Sequence, residues 1–365
     1  MMRIGILTHY DVNNQGAQLQ LYALWMKLKE MGHRPVVLTY RKNFDFEPVL
    51  ELRNQISIKS VPYILKHFLY KKGVALTWHN VRKYLIHKKF RKDTFEFASY
   101  CLADVDVAVV GADEVFSLEN GVNIMMFGHG VHTSYLIAYA PSAGQTDIGR
   151  VKAFHCENLM ASGLKNFQFL SVRDGATARL VKELTGDSPV IVCDPVLLYD
   201  FSKLKTKCKI PLRKYMIVYG YDRHFVEKSE IDVLKSFAKK RGLLLVSPGC
   251  YHAWCDRNIP CDALQWIELF RHAECVVTDT FHGTIVAAIT GRPMAVYVRQ
   301  SINANKLTDL IERLGLPDRR ITDISSPALE TVFSCEQDNR NIQARILQLR
   351  EAGESYLKNA LDLCQ

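Results

Sequence analysis

Glu274–Gly283 reads ECVVTDTFHG and runs directly into the apolar stretch Thr284–Ile289, TIVAAI. Cys275-Val276-Val277 is too short and too β-branched to be a helix, and predicts a buried parallel strand. The stretch after Gly283 is rich in Ala and Ile and is closed by Gly291-Arg292-Pro293, which predicts a helix with a defined stop. Thr278, Asp279, Thr280 and His282 therefore fall on a strand-to-helix turn. In open α/β sheets this carboxyl edge is where ligands bind. His282 is placed near a helix N-terminus, where free N–H groups favour an anion and an imidazole can exchange a proton near neutral pH. Two readings stand side by side. In one the turn is an anion site; in the other Asp279 or Thr280 caps the helix and His282 packs.

The same alternation extends in both directions. Before the turn come a strand at Tyr215–Tyr219, a helix at Val226–Arg241, a strand at Leu243–Ser247, a loop at Cys250–Cys261 and a helix at Ala263–Ala273. After it come a strand at Met294–Val298 ending in Arg299, a helix at Lys306–Leu314 and an amphipathic tail at Gln343–Leu363. The first half begins with a strand at Arg3–Thr8, a polar loop with Asn13, Asn14 and Gln15, a helix opening at Gly16 and a strand at Pro35–Tyr40. Strands at Asp106–Val110, Tyr135–Tyr139, Phe167–Val172 and Val190–Cys193 follow, with helices at Val151–Met160 and Ala176–Leu184. Asp113 and Glu114 follow one strand and Arg173 another. The fold class predicted is α/β: two facing Rossmann-like domains with parallel sheets, in the manner of glycosyltransferase-B enzymes. The boundaries expected are 1–200 and 214–325, with a helical tail at 326–365 packed across both. No G-x-G-x-x-G fingerprint occurs; Gly128-His129-Gly130 is nearest, with Thr133 in place of the third glycine.

Charge is concentrated in one insertion, about 52–97. From Leu52 to Lys92 there is no Asp or Glu, against eleven Lys and Arg, more than the net +9 of the whole chain. Aromatic and aliphatic residues are interleaved. This pattern suits an anionic membrane surface or lipid headgroup, with Lys66, Lys71, Lys72, Arg82, Lys83, Lys88 and Lys89 as the patch. The alternatives are a solvated helical face and, with no accompanying motif, nucleic acid. No apolar run is long enough to span a bilayer, and the N-terminal run is too short for a signal peptide, so a cytoplasmic protein is expected, peripheral at most. Ten scattered cysteines fit reduced thiols. The cluster Cys250, His252, Cys255, Asp256, Cys261 has no zinc spacing, and no metal is expected.

Five segments, taken in order, resemble the polysaccharide pyruvyl transferase family. They are Asn14-x-Gly16-Ala17-x-Leu19-Gln20-x-Tyr22-Ala23-Leu24, Val110–Phe116, Ser171-Val172-Arg173-Asp174, Asp194–Leu198 and Thr278–Gly283. The resemblance spans roughly Ile4 to Arg320. It implies transfer of pyruvate from phosphoenolpyruvate onto two hydroxyls of one sugar, forming a cyclic ketal on a cell-surface polysaccharide or its lipid-linked precursor. It carries Arg173 over as a donor-anion ligand and His282 as the catalytic histidine. Where several members have an Arg two residues before the histidine, this chain has Thr280. Val110–Phe116 also departs, with Ala112 and Phe116 for Ser and Trp.

Phosphoenolpyruvate offers a phosphate and a carboxylate, which Arg forks bind in bidentate fashion. Arg173 and Arg299 are the candidates, expected to meet across the cleft, with Thr280 and Gly283 completing the donor site. His282 is the proton-transfer candidate, with Asp279 orienting it or acting as a second base. Asn14, Gln15, Asp113 and Glu114 are candidates for the acceptor. The chemistry needs no cofactor beyond the donor. The partners expected are a lipid-diphosphate-linked oligosaccharide and an anionic membrane, not nucleic acid. Rival readings are a nucleotide-sugar glycosyltransferase of the same architecture and a noncatalytic anion-binding protein on the membrane.

Overall fold

The computed structural model describes residues 1–43, 71–119, 121–204, 206–211, 213–299 and 304–364. Two parallel sheets form. The first comprises β1 (Arg3–Leu7), β2 (Arg34–Thr39), β3 (Phe97–Ser99), β4 (Val107–Val110), β5 (Tyr135–Ala138), β6 (Phe169–Val172) and β7 (Val190–Ile191), in spatial order β3-β2-β1-β4-β5-β6-β7. The second comprises β8 (Tyr215–Tyr219), β9 (Leu244–Pro248), β10 (Arg257–Ile259), β11 (Cys275–Thr278), β12 (Met294–Tyr297) and β13 (Arg320–Ile321), in order β10-β9-β8-β11-β12-β13. Strand order reverses between β1 and β4, where Ile4 pairs with Val107, and between β8 and β11, where Val276 pairs with Ile217. These are the two switch points where an open sheet leaves a crevice at its carboxyl edge.

The helices are α1 (Gln15–Glu30), α2 (Lys71–Thr94), α3 (Ile148–Ala153), α4 (Glu157–Leu164), α5 (Gly175–Thr185), α6 (Pro195–Leu198), α7 (Lys228–Lys240), α8 (Ala263–Arg271), α9 (Phe281–Ile289), α10 (Ala304–Leu314), α11 (Ser326–Ser334) and α12 (Asn339–Asp362). The helix expected at Val151–Met160 is two, because His155 takes a left-handed φ of 54° and breaks it between α3 and α4. Short edge strands β3 and β13, and helix α11, had no expectation attached. Each edge strand is too short to show an alternation. The loop at Cys250–Cys261 contains β10.

Alternate residues of the central strands face opposite ways, so each sheet has two apolar faces. Leu7, Val36, Ala108 and Val110 pack outward under α4 and α5. Met216, Val218 and Val277 pack outward under α7. The inward faces, with Ile4, Ile6 and Val109 on one side and Ile217 and Val276 on the other, join through α1, α6, α8 and α9 into one continuous core. That shared core fixes the two carboxyl edges opposite each other. Helix α12 returns from the second sheet to the first: Gln343 Nε2 donates to Ala288 O, Arg350 Nε to Leu197 O and the Tyr356 hydroxyl to Ala138 O.

Candidate active site

His282 occupies the second position of α9. Thr280 caps that helix, its hydroxyl accepting from the Gly283 N–H at 3.0 Å. A Cβ at Gly283 would collide with the hydroxyls of Thr278 and Thr280, so the turn needs glycine there. Thr280 is buried and its hydroxyl is committed to the cap, so no charge replaces the family arginine at this position.

The His282 ring crosses to the first domain. Its Nε2 lies 3.4 Å from Asp194 Oδ2, within ion-pair range though not aligned as a hydrogen bond. A Cβ added at Gly16 would lie within 2.7 Å of the His282 Nδ1, Cγ and Cβ. The glycine at the start of α1 thus leaves space for the imidazole. Asp194 has no exposed side-chain surface, caps α6 through the Val196 N–H, and also takes the Arg173 Nη1 at 3.0 Å. Burial pushes the Asp194 carboxyl up; His282, the Arg173 guanidinium and the Val196 N–H outweigh it and hold the group down at about 2. Arg173 is itself buried, its guanidinium 4.7 Å above the Phe281 ring. Arg173, Asp194 and His282 therefore form one ion-pair cluster between the sheets.

Asp279 belongs to a second cluster. Its buried Oδ2 accepts from Arg299 Nε at 2.6 Å and faces His224 Nδ1 at 2.8 Å. Arg299 also reaches Glu230 at 3.4 Å and stacks its guanidinium 4.4 Å over the Tyr297 ring. Asp279 is thus tied to Arg299 and His224, while Asp194 is the carboxylate at His282. The two expected donor arginines have separate partners: Arg173 sits on Asp194, Arg299 on Asp279 and Glu230. Asp279 Oδ1 is buried with no hydrogen-bond partner among the described residues. Asp279 as a residue borders a pocket of about 260 Å³ with Glu114, Tyr221, His224, Arg299 and Lys306. Phe281, the residue before His282, lines the same pocket. Lys306 Nζ bonds Glu114 Oε1 at 2.5 Å across the domain boundary.

The expected acceptor residues divide. Asn14 caps α1, its Oδ1 accepting from the Ala17 N–H. Gln15 is buried and its amide donates to Cys261 O at 3.2 Å, with His87 Nε2 at 3.3 Å, so it ties the domains together and has no surface for a sugar. Asp113 takes a left-handed φ of 77° and bonds the Glu114 N–H. Of the four, Glu114 alone lines the pocket. Asp194, His224 and Lys306 had no role assigned from sequence. Asp194 had a signal, since Asp before Pro at the first helical position is a helix start. His224 lies in a loop with none.

The basic patch divides as well. Lys66 and the side chains of Lys71 and Lys72 lie outside the described residues. Lys83 turns inward and donates to Gly249 O at 2.8 Å. Arg82, Lys88 and Lys89 are exposed, Lys89 pairing with Asp93. Among the described residues no helix is long and apolar enough to cross a membrane, and no group of three or more His, Cys, Asp or Glu side chains is placed to hold a metal ion.

Solved structures of similar fold include Arabidopsis thaliana UGT89C1 complexed with UDP-L-rhamnose, at 12% identity, TM-score 0.51, covering 100% of this chain and 98% of that one. UDP-GlcNAc 2-epimerase from Neisseria meningitidis bound to UDP-GlcNAc is similar at 11% identity, TM-score 0.50, covering 98% and 94%. Both likenesses concern the fold, two facing Rossmann-like domains of the glycosyltransferase-B kind. No curated protein matches the chain in sequence. The family model described as polysaccharide pyruvyl transferase matches residues 14–301, a span that runs from the cap of α1 through Arg173, Asp194 and His282. Matched over most of its length, the chain belongs to the polysaccharide pyruvyl transferase family.

Proposed function

We propose that this transferase moves pyruvate from phosphoenolpyruvate to two hydroxyls of one sugar in a cell-surface polysaccharide or its lipid-diphosphate-linked precursor, at the inner face of the membrane. The observation that carries this reading is the placement of His282, held between Asp194 and Gly16 at the start of α9, where its chain neighbours Thr280 and Phe281 line a pocket bounded by Arg299, His224 and Lys306. The pocket has the size for a small dianion and one sugar ring. Its cations are matched by carboxylates, and Lys306 can exchange Glu114 for a donor oxygen. Arg299 then supplies the charge that Thr280 does not.

The vinyl methylene of the donor takes a proton, from His282 in this reading. The oxocarbenium-like carbon is attacked by the first sugar hydroxyl. The C–O bond to phosphate breaks, and the second hydroxyl closes the ketal. The two hydroxyl protons end on the new methyl group and on inorganic phosphate. Proton transfer of this kind contributes about 10²–10⁴-fold. Asp279, with no exposed side-chain surface, holds Arg299 and His224 in place at the pocket wall. Arg173 acts through Asp194. No metal or cofactor enters this scheme.

The test is phosphate release from phosphoenolpyruvate with a panel of lipid-linked sugars, for the wild type and His282→Ala. Acceptor-dependent release that is lost in the variant is expected. Absence of phosphoenolpyruvate binding by calorimetry, together with binding of UDP, would replace this reading with a nucleotide-sugar glycosyltransferase.

A further inference from the structure

Helix α2 has two faces of different character. From Val74 onward its inward face carries His79, Lys83, His87 and Phe90, at the three- and four-residue spacing of one helical side. Those residues are committed. His79 packs its ring 5.5 Å from that of Tyr251, Lys83 holds Gly249 O, and His87 lies against Gln15. The rotation of the helix about its own axis is thereby fixed.

The outward face carries Val74, Trp78, Val81 and Leu85, again at helical spacing, and all four are exposed, Trp78 by 63% and Leu85 by 56%. Lys88 and Lys92 continue the same stripe, and Arg82 and Lys89 flank it; all four are exposed. The helix has no acidic residue before Asp93 at its end. An apolar stripe that runs on into lysines, with a tryptophan among the large side chains, matches the chemistry of the bilayer interface: rings and aliphatic chains at the acyl boundary, ammonium groups among anionic headgroups.

We infer that the outward face of α2 docks the protein on an anionic lipid surface, with Val74, Trp78, Val81 and Leu85 inserted at headgroup depth and Arg82, Lys88 and Lys92 on the lipid phosphates. The helix lies on the bilayer and does not cross it. This is independent of the donor: a chain that used no phosphoenolpyruvate would bind vesicles equally. It narrows the basic patch to one helix face and excludes Lys83.

The experiment is co-sedimentation of the full chain with vesicles of equal parts phosphatidylglycerol and phosphatidylcholine, against phosphatidylcholine alone. Binding to the anionic vesicles only is expected. Lys88→Gln with Lys92→Gln should weaken it about 25-fold, since each lysine near an anionic surface is worth about fivefold. Trp78→Ser with Leu85→Ser should weaken it at least as much with an unchanged melting temperature, and Trp78→Phe should remove a blue shift in emission on vesicle addition. Equal sedimentation with neutral and anionic vesicles, or unchanged binding by both double variants, would overturn the proposal. So would a wild-type dimer that Trp78→Ser with Leu85→Ser converts to monomer, which assigns the stripe to a second copy.

Discussion

Substituting Gly16 by alanine tests the contact on which the site geometry depends. Alanine in place of glycine ordinarily strengthens a helix by about 0.5–1 kcal/mol. Here the new methyl would lie within 2.7 Å of the Nδ1, Cγ and Cβ of His282, so the imidazole or α1 must move by about an ångström. Overpacking of that kind costs about 1–3 kcal/mol. The net expectation for Gly16→Ala is a loss of about 0–2.5 kcal/mol in the wild type. The informative partner is His282→Gly, because the histidine Cβ is itself one of the three crowded atoms and would remain in an alanine. In that background Gly16→Ala should gain the 0.5–1 kcal/mol typical of a helix. Urea unfolding of the four proteins gives the coupling, expected at about 1–3 kcal/mol. Activity of Gly16→Ala should fall about 10²-fold from misplacement of the ring. If Gly16→Ala stabilises both backgrounds by the same amount, His282 does not rest against α1, and the interdomain site described above is wrong.

Asp194→Asn keeps the cap on α6 but removes the carboxylate hydrogen-bonded to the buried Arg173. Breaking such a pair costs about 3–5 kcal/mol, so unfolding at lower urea is expected, together with a loss of phosphate release of at least about 10²-fold. Burial, reinforced by the charges of Lys83 and Arg91, holds the His87 imidazole down at about 3. The unfolded chain therefore takes up that proton first as pH falls. The stability His87 contributes is complete above about pH 6.5, falls by about 2 kcal/mol by pH 5, and goes on falling to about pH 3. His87→Asn should lack that share of the pH dependence when urea midpoints at pH 8 and pH 5 are compared. Thr280→Val removes the cap on α9 and should cost about 1 kcal/mol in thermal unfolding.

Much of this arrangement is legible in the chain because parallel strands buried on both faces are short and apolar throughout. Tyr215–Tyr219, Cys275–Thr278 and Val107–Val110 are such strands. The residues just beyond them then lie on a carboxyl edge, which places Asp113, Glu114, Arg173, Asp279 and His282 along the cleft. What the chain does not display is which edge residues meet. His282 and Asp194 are far apart in sequence and on different sheets, and their pairing depends on how α1, α6 and α9 share one core. Asp279, three residues from His282, looks like its partner in the sequence. In the folded protein the turn sends Asp279 toward Arg299 and His224. Gln15 misleads for the same reason: a polar residue in a glycine-bearing first turn reads as a ligand, but the second domain comes down over it. Lys83 reads as one of a row of exposed lysines because charge is visible in sequence and helix rotation is not.

The return of α12 to the first sheet has a consequence for synthesis. The Arg350 guanidinium meets the Leu197 carbonyl across 153 residues of chain, and the Tyr356 hydroxyl meets the Ala138 carbonyl across 218. At translation rates of about 5–20 residues per second, the surface around Tyr139, Cys193 and Leu198 waits roughly 8–30 s on the ribosome for the helix that will cover it. All seven strands of the first sheet have emerged by then, yet that apolar face is still open to water. The nascent chain therefore carries an uncovered apolar patch on its first domain throughout synthesis of the second sheet, a stage open to aggregation and to chaperones.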